Sequence, residues 1–312
     1  MMSIASCEPS VMFHHFCDSN HPRGQGAIDA EELAQLIKWL GRDRILRADE
    51  WIDHIRIGKS TENKICFTFD DALACQYDVA APVLEAHNLT GFFFIYTGYL
   101  FDDLLPRLEI YRYFRTVYFQ TVDEFYQDFF DAVDKPGGAA AREWMARFDR
   151  KNYPAYPPYY SDNDVRFQQM RDEFLGEQRY FAIMDDMISA RGLSPLELAT
   201  KTMMSAAQIK ALADRGHNIG LHSHSHPTVF AALSAEGQAE EYQRNVAAVT
   251  RASGRAPIAM SHPCNSYVPA TLTILDELGI EFGFRADVTQ KNYSRLELPR
   301  EDHSTLMREM RA

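Results

Sequence analysis

Residues 221–227 read Leu-His-Ser-His-Ser-His-Pro, and together with Thr68-Phe69-Asp70-Asp71 they decide how this chain is interpreted. Neutral imidazole is the commonest protein ligand of zinc and similar metals, and three histidines within five residues are rare in an ordinary core. The second stretch supplies two adjacent carboxylates at the end of an apolar run. Two histidines and one aspartate leave room for water on a bound ion, which is the arrangement of a catalytic metal rather than a structural one.

Composition excludes several classes of protein. The 312 residues are 46% hydrophobic and 24% charged, as in an ordinary globular protein, and the length suits one α/β barrel or two smaller domains. A net charge of -12 argues against a nucleic-acid partner, because phosphate binding needs clustered Lys and Arg. The five cysteines are odd in number and scattered, which argues against a disulfide framework.

The sequence offers no obvious targeting or membrane segment. Residues 1–10 lack the basic start and apolar run of a signal peptide, and no stretch contains 18 uninterrupted apolar residues. We therefore predict a cytoplasmic protein without a transmembrane segment. Nothing in the sequence indicates an oligomeric state.

Apolar spacing predicts alternating strands and helices. Asp29 with Glu32 forms a capping pair at the start of one helix, and Ser205 with Gln208 forms another. Repeated strand-helix order implies parallel strands joined by crossover helices. We predict an α/β fold, a distorted and incomplete (β/α) barrel of about seven parallel strands with a helical, aromatic-rich insertion. The predicted strands cover residues 10–14, 64–70, 91–96, 217–221, 257–261, 280–285 and 296–299.

Polar residues recur where these predicted strands end. In parallel α/β barrels the active site is built at the carboxyl ends of the strands, so these residues should meet at one level. They are His14, Asp70, Asp71, His222, the turn of Pro263, Cys264 and Asn265, and Arg300.

The two opening stretches resemble the signature of the NodB-type polysaccharide deacetylases, carbohydrate esterase family four. That family has T-F-D-D, and later H-[ST]-x-[ST]-H-P after an apolar strand and a glycine; residues 68–71 and 222–227 match in order. The flanks are similar too, with Pro82-Val83-Leu84 before a Gly-Phe-Phe-Phe strand and residues 215–220 before the histidines. The likeness covers about two-thirds of the chain.

The resemblance implies a division of roles. Asp71, His222 and His226 would hold one divalent metal ion, most simply zinc, with cobalt, nickel or manganese as alternatives. Asp70 would be the general base, and the backbone N–H of Cys264 would stabilise the oxyanion, although a packed thiol is the plainer interpretation of that cysteine. The residues expected to line the substrate site are Pro263, Asn265, Tyr267 and Tyr96.

The chain departs from the family at its third motif. Ser261 stands where many relatives have arginine, Cys264 where they have an aromatic residue, and Asn265 where they have glycine. We expect Arg300, in Leu298-Pro299-Arg300, to supply the missing cation near Asp70.

The general acid has three candidates. No late L-x-H motif is present, whereas residues 11–14 resemble the early Tyr-His strand of the rearranged branch of the family. His14 is therefore the predicted acid, with His15 and then His303 as alternatives. Because side chains alternate along a strand, His14 and His15 are expected on opposite faces.

His224 allows a different metal site. A His222-x-His224 pair on a strand is typical of amidohydrolase-type barrels. That arrangement requires the pair on the first strand and more histidines downstream, but only His226, His262 and His303 follow. The pair four residues apart, His222 with His226, is preferred.

We predict that residues 1–98 and 201–312 form the two parts of the barrel and that residues 99–200 form a helical insertion or lid. Residues 99–181 contain 21 of the chain's 38 aromatic residues. They would either pack as a core of their own or form a lid whose tyrosines stack on sugar rings. The tyrosines of the lid hypothesis are Tyr153, Tyr156, Tyr159 and Tyr160.

The function expected from this sequence is that of a metal-dependent N-deacetylase, a hydrolase of linear amide C–N bonds. Its substrate would be an N-acetylated sugar or glycan precursor in surface-polysaccharide biosynthesis. Two alternatives are a NodB-like fold that binds a glycan or a partner without catalysis, and a hydrolase of a non-sugar amide.

Overall fold

A computed structural model of the chain describes residues 9–58, 63–134, 138–152, 161–289 and 293–312. The described residues fall into two compact units. The barrel unit comprises Met1–Leu104 and Met203–Ala312, and the helical unit comprises Leu105–Thr202. Residues 153–160, with the four tyrosines of the lid hypothesis, lie outside the described residues.

The barrel unit contains one sheet of seven strands, all parallel, in the order β6-β5-β4-β3-β2-β1-β7. This confirms the predicted α/β fold with about seven parallel strands. The strands are β1 (Ser10–Phe13), β2 (Phe67–Phe69), β3 (Phe92–Ile95), β4 (Asn218–Leu221), β5 (Ala259–Ser261), β6 (Phe282–Phe284) and β7 (Arg300–Asp302).

Helices separate most of the strands, as the crossover topology requires. The capping box predicted for Asp29 and Glu32 is present at the first helix, and that of Ser205 and Gln208 is present at the eleventh. The α-helices are α1 (Ala30–Leu40), α2 (Ala48–Arg56), α3 (Ala81–Ala86), α4 (Gly98–Phe101), α5 (Arg107–Val117), α6 (Val122–Asp134), α7 (Ala139–Arg147), α8 (Asp162–Gln169), α9 (Glu177–Ser189), α10 (Pro195–Thr202), α11 (Ala206–Asp214), α12 (Ala235–Ser253), α13 (Pro269–Glu277) and α14 (His303–Arg311).

The barrel is almost closed by a change of partner near its last strand. Leu298 forms a bridge to Phe284 of β6, and two residues later β7 pairs with β1. Pro299 separates the two pairings, because proline has no N–H to continue a ladder. The predicted strand at 296–299 is therefore wrong in position, and Arg300 begins a strand instead of following one.

The two faces of each strand differ in character, as alternation requires. Phe67 and Phe69 pack into the large core that includes the surrounding helices. The opposite face carries Thr68 and Asp70 on β2 and its end, and large aromatic residues on β3 and β6. Trp51 of α2 packs against that aromatic cluster, with ring centroids 5.4 Å from Phe92 and 5.6 Å from Phe282.

The helical unit consists of α5 to α10 around an aromatic core of its own. Its buried rings include Phe114, Phe125, Phe129, Phe167 and Tyr180. Phe129 lies edge-on to Phe167, with ring centroids 4.8 Å apart. Among the helices the structure describes, none combines the length and apolar character needed to cross a bilayer.

Candidate functional site

Asp71, His222 and His226 form a triangle of ligand atoms at the ends of β2 and β4. The Oδ1 atom of Asp71 lies 3.3 Å from Nε2 of His222 and 3.3 Å from Nε2 of His226. The two Nε2 atoms are also 3.3 Å apart. Within the described chain this is the one group of three such side chains close enough to hold a metal ion.

The spacing of these three atoms fits a metal ion. Ligands at about 2.0 Å from a tetrahedral centre lie about 3.3 Å from one another. The Nδ1 atom of His222 is 2.9 Å from the carbonyl oxygen of Ser261, so it carries the proton and donates. In the neutral ring the lone pair of Nε2 then faces the carboxylate of Asp71, and that contact becomes favourable when either a proton or a metal ion lies between the two atoms.

The charges around the triangle also favour a bound cation. Burial alone would raise the pKa of Asp71, but its hydrogen bond with His222 and the charges of His226, His14 and His222 hold that pKa well below its usual range. Burial disfavours protonation of His222, yet the carboxylates of Asp70 and Asp71 raise its pKa overall. The site therefore concentrates negative charge around imidazoles, which is what a divalent cation would neutralise.

Left-handed backbone conformations gather at this site. Asp71, Ser223 and His226 have φ angles of 77°, 61° and 55°, and Cys264 and Asn265 have 49° and 54°. Non-glycine residues seldom adopt such angles, and they persist only where the surroundings impose them. The loops carrying the candidate ligands are thus held in specific, strained conformations.

Two residues of α12, Glu241 and Asn245, hold the histidine loop in place, and no sequence motif indicates either of them. Asn245 accepts a hydrogen bond from the backbone N–H of His222 (3.0 Å) and donates to the carbonyl of Ile95 (2.9 Å). Glu241 accepts from the backbone N–H groups of His224 (2.9 Å) and Ser225 (2.8 Å). A buried asparagine on the apolar face of a helix was the available signal.

His224 points away from the triangle. Its Nδ1 atom lies 3.0 Å from Oγ1 of Thr97, and its Nε2 atom lies 3.0 Å from Oδ2 of Asp102. The structure therefore groups His222 with His226 and leaves His224 in a separate polar contact. This arrangement does not contain the H-x-H metal pair of the amidohydrolase alternative.

Asp70 is buried next to the triangle and has a different partner. Arg300 donates to its two carboxylate oxygens over 2.7 and 2.8 Å, and Ser261 donates over 3.0 Å. Arg300 also donates to the hydroxyls of Ser261 (2.7 Å) and Thr68 (3.2 Å). The structure thus places the Arg300 cation, expected from the sequence near Asp70, in a bidentate pair with it.

This pair fixes the charge of Asp70. Burial raises its pKa, but the Arg300 charge and hydrogen bonds, with contributions from His222 and His14, lower it overall. Asp70 is therefore ionised near neutral pH and able to accept a proton, as a general base must be.

The three acid candidates occupy different environments. His14 follows β1, and its Nε2 atom lies 3.9 Å from Oδ2 of Asp71. The prediction that His14 and His15 lie on opposite faces is wrong, because β1 ends at Phe13; their rings are nearly parallel, with centroids 6.4 Å apart. The ring nitrogens of His303 face the carbonyls of Met12 (3.3 Å) and Gly26 (2.8 Å) instead.

The third-motif turn follows β5, at the same end of the sheet as the triangle. Pro263 is buried. Cys264 is exposed, so its interpretation as a packed thiol is wrong. The side chain of Asn265 accepts from the backbone N–H of Ala286 over 3.0 Å. This contact ties the turn to the segment after β6.

The two tyrosines expected in the substrate site are placed differently. The ring of Tyr96 lies 5.1 Å from that of His226, beside the triangle. Tyr267 stacks on His262, with centroids 4.0 Å apart, and donates to Glu297 over 3.1 Å. Tyr96 is thus the one in direct contact with a candidate ligand.

Known proteins share both the sequence pattern and the fold. Residues 181–283 match the family model "Polysaccharide deacetylase", a segment that includes His222 to His226. No curated protein sequence matches the chain. The resemblance is therefore carried by one segment of sequence and by the solved structures.

Among those structures is IcaB from Ammonifex degensii, with 15% identity, a TM-score of 0.54 and coverage of 97% of both chains. The deacetylase PplD of Streptococcus pyogenes, solved in complex with acetate, has 14% identity and a TM-score of 0.53, over 94% of this chain and 91% of that one. A de-N-acetylase from Aggregatibacter actinomycetemcomitans has 14% identity and a TM-score of 0.52, over 94% and 93%. The protein has the NodB-type polysaccharide deacetylase fold, and residues 181–283 carry the sequence pattern of that family.

Proposed function

We propose that this protein is a metal-dependent N-deacetylase that removes the acetyl group from an N-acetylated sugar polymer or its precursor. The observation that carries the proposal is the triangle of Asp71, His222 and His226, with ligand atoms 3.3 Å apart, directly beside the ionised Asp70. The fold is shared with deacetylases, which supports the same reaction class.

The roles of the residues follow from their chemistry. A divalent ion held by the three ligands would polarise the amide carbonyl and make bound water more acidic. Asp70 accepts the proton of the attacking water, and Arg300 keeps that carboxylate ionised and oriented. His14, 3.9 Å from Asp71, is our candidate to protonate the leaving amine. The backbone N–H of Cys264 is our candidate oxyanion donor.

The first experiment compares two neighbouring histidines. Metal content is measured by elemental analysis in wild type, His226→Ala and His224→Ala, after reconstitution with zinc. Acetate release from N-acetylglucosamine oligomers is measured in the same samples. We expect about one ion and activity in wild type and His224→Ala, and loss of both in His226→Ala. His224→Ala is the matched control, because it removes an imidazole from the same loop.

The outcomes separate the alternatives. Metal retained in His226→Ala but lost in His224→Ala would contradict the site and favour the H-x-H pair. Metal bound by wild type without acetate release from any acetylated sugar would favour a binding protein with this fold. The cytoplasmic location and the role in surface-polysaccharide synthesis remain predictions of the sequence analysis.

A further inference from the structure

The helical unit contains a cavity that the deacetylase chemistry does not use. Its volume is about 190 Å³, and all ten residues that line it belong to the helical unit. Five of them come from α5, and the others come from α6, α8, α9 and the turn before α9. The cavity is therefore complete within one unit and has no part in the Asp71 triangle.

Three arginines stand around this cavity. Arg112 and Arg115 lie one turn apart on α5, and Arg171 lies in the helical turn Met170–Leu175. All three are half-buried. Glu109 is the one acidic residue of the lining, and Asp172 outside the lining pairs with Arg171, so these five residues carry one net positive charge in a chain whose own net charge is -12.

Arg115 is the most informative of the three. Within the described chain it makes no hydrogen bond and no ion pair, whereas Arg171 pairs with Asp172 over 2.6 and 2.8 Å. A partly desolvated guanidinium without an anion costs free energy, because it gives up water and gains no partner. An anionic ligand in the cavity would supply the missing acceptor, since Arg binds carboxylate and phosphate oxygens bidentately.

Buried, mostly apolar side chains form part of the lining, and one of them offers a hydroxyl. Phe125, Phe167 and Met184 are buried there, as is Tyr180. Within the described chain the hydroxyl of Tyr180 has no hydrogen-bond partner. Burial raises the pKa of Tyr180 to about 12, against the opposing charges of Arg171 and Arg115, so the phenol stays protonated and can donate. An apolar wall with one donor suits a ring that carries hydroxyl groups.

Size limits the ligand further. A dry cavity of about 150 Å³ holds one benzene molecule, and pockets for drug-sized ligands have volumes of about 300–1,000 Å³. The cavity of about 190 Å³ therefore accommodates one six-membered ring. A nucleotide or an oligosaccharide would extend beyond it into solvent.

We infer that this cavity binds a single anionic pyranose, a sugar phosphate or a sugar acid. The arginines would hold the anionic group, Tyr180 would hydrogen-bond a ring hydroxyl, and the apolar wall would pack against the ring. The inference goes beyond the proposed deacetylase and does not depend on it, because it concerns binding in a separate unit.

The test is isothermal titration calorimetry of the full chain in low-salt buffer. The probes are glucose 6-phosphate, glucuronate, glucose and inorganic phosphate. We expect glucose 6-phosphate or glucuronate to bind, and the tighter binder identifies the anionic group as phosphate or carboxylate. Glucose and inorganic phosphate should bind at least about tenfold more weakly. Arg115→Gln should weaken the preferred probe by about tenfold or more.

Arg147→Gln is the matched control, since Arg147 is an exposed arginine of α7 that pairs with Glu143 and does not line the cavity. Circular dichroism reports whether each variant is folded. A folded Arg115→Gln protein that binds the probe as wild type does, or a wild type that binds neither acidic sugar, would overturn the inference. Phosphate binding as tightly as glucose 6-phosphate would overturn the assignment of a sugar ring. Asp70→Asn should leave this binding unchanged, which separates the result from any failure of the deacetylase proposal.

Discussion

Asp70 and Asp71 are neighbours in the chain, yet the structure surrounds them with opposite partners. Asp70 faces a permanent cation, Arg300, which donates to both of its oxygens. Asp71 faces two imidazole nitrogens, each 3.3 Å away, which carry a positive charge only when protonated. The first carboxylate is already neutralised by the protein, and the second is arranged for a cation from outside. Under the proposed function, the partner, and not the residue type, would separate a proton acceptor from a metal ligand.

Removing the charge of Asp70 should have the largest effect. In Asp70→Asn we expect kcat for deacetylation to fall by about 10²–10⁴-fold, while the metal content stays that of wild type. The free energy of unfolding should also fall by about 3–5 kcal/mol, because the buried Arg300 loses its counter-charge. Steady-state kinetics, elemental analysis and urea unfolding measure the three quantities. Ser261→Ala is the control, because it removes one neutral donor to the same carboxylate. A wild-type kcat in Asp70→Asn would contradict the proposed role of Asp70 as the general base.

The reciprocal change tests the other carboxylate. Asp71→Asn should lower the affinity for zinc by more than the 10–100-fold that loss of an outer-shell partner costs, because a direct ligand is removed. Competition with a chromophoric chelator measures that affinity. Asp102→Asn, which alters a carboxylate 3.0 Å from the uninvolved His224, should leave it unchanged. Equal losses in both variants would mean that charge in general, and not ligation, attracts the metal.

Arg300→Lys keeps the positive charge beside Asp70 but changes its hydrogen-bonding geometry. Lysine is a point charge that cannot donate in a fork to both oxygens of Asp70. We expect the free energy of unfolding to fall by about 1.5–3 kcal/mol and the activity to fall less than in Asp70→Asn. Activity lost as completely as in Asp70→Asn would show that geometry, more than charge, is what Arg300 contributes.

The support behind the histidine loop should matter to the metal and hardly to the fold. Glu241→Ala removes the acceptor of two backbone N–H groups next to His226, so zinc affinity should fall by about 10–100-fold. The neighbouring Glu240→Ala is the control, because Glu240 is exposed and lies only at the edge of ion-pair distance from Arg244, at 4.0 Å. The same chelator competition measures both variants. Equal zinc affinities would show that the loop holds its shape without α12.

His217 differs from His222, because burial and two arginines, rather than carboxylates, determine its pKa. Burial, followed by the charges of Arg215 and Arg47, lowers the pKa of His217 from 6.5 to about 4. Between those values the unfolded chain binds the proton and the folded chain does not, so stability is lost as the pH falls through this window. The slope from this one group should reach about 1.4 kcal/mol per pH unit. Urea unfolding at several pH values should show a shallower slope in His217→Gln, and an unchanged slope would exclude this cause.

Contiguous motifs explain how much of the site could be predicted. Asp70, Asp71, His222 and His226 each follow a buried strand within a few residues of chain, so strand patterning was enough to bring them to one edge of the sheet. Glu241 and Asn245 act through backbone groups of another segment, and helical spacing alone does not show which backbone they reach. The strand predicted at 296–299 is misplaced because the chain pairs with β6 before Pro299, at Leu298, and pairs with β1 after it, as β7.

The arginine-lined cavity, in contrast, could not be predicted from the sequence. Its residues come from several helices and share no motif, and each arginine alone looks like a solvated surface residue. Only the packing of the helical unit shows that Arg115 is half-buried and that no residue described by the structure accepts a hydrogen bond from it. Sequence patterns therefore predict sites built on strand ends better than sites built between helices.

The change of partner at Pro299 also has a kinetic meaning. Arg300 is 230 residues from Asp70 in the chain, and β7 pairs with the first strand, so closing the barrel and forming this ion pair require the same long-range contact. Such contacts are costly in loop entropy, and we expect them to form late in folding. Until they form, burying Asp70 would leave its charge unpaired, so the proton acceptor and the last seam of the barrel should assemble in one cooperative step. A chain whose seam has opened would lose its chemistry before it lost most of its structure.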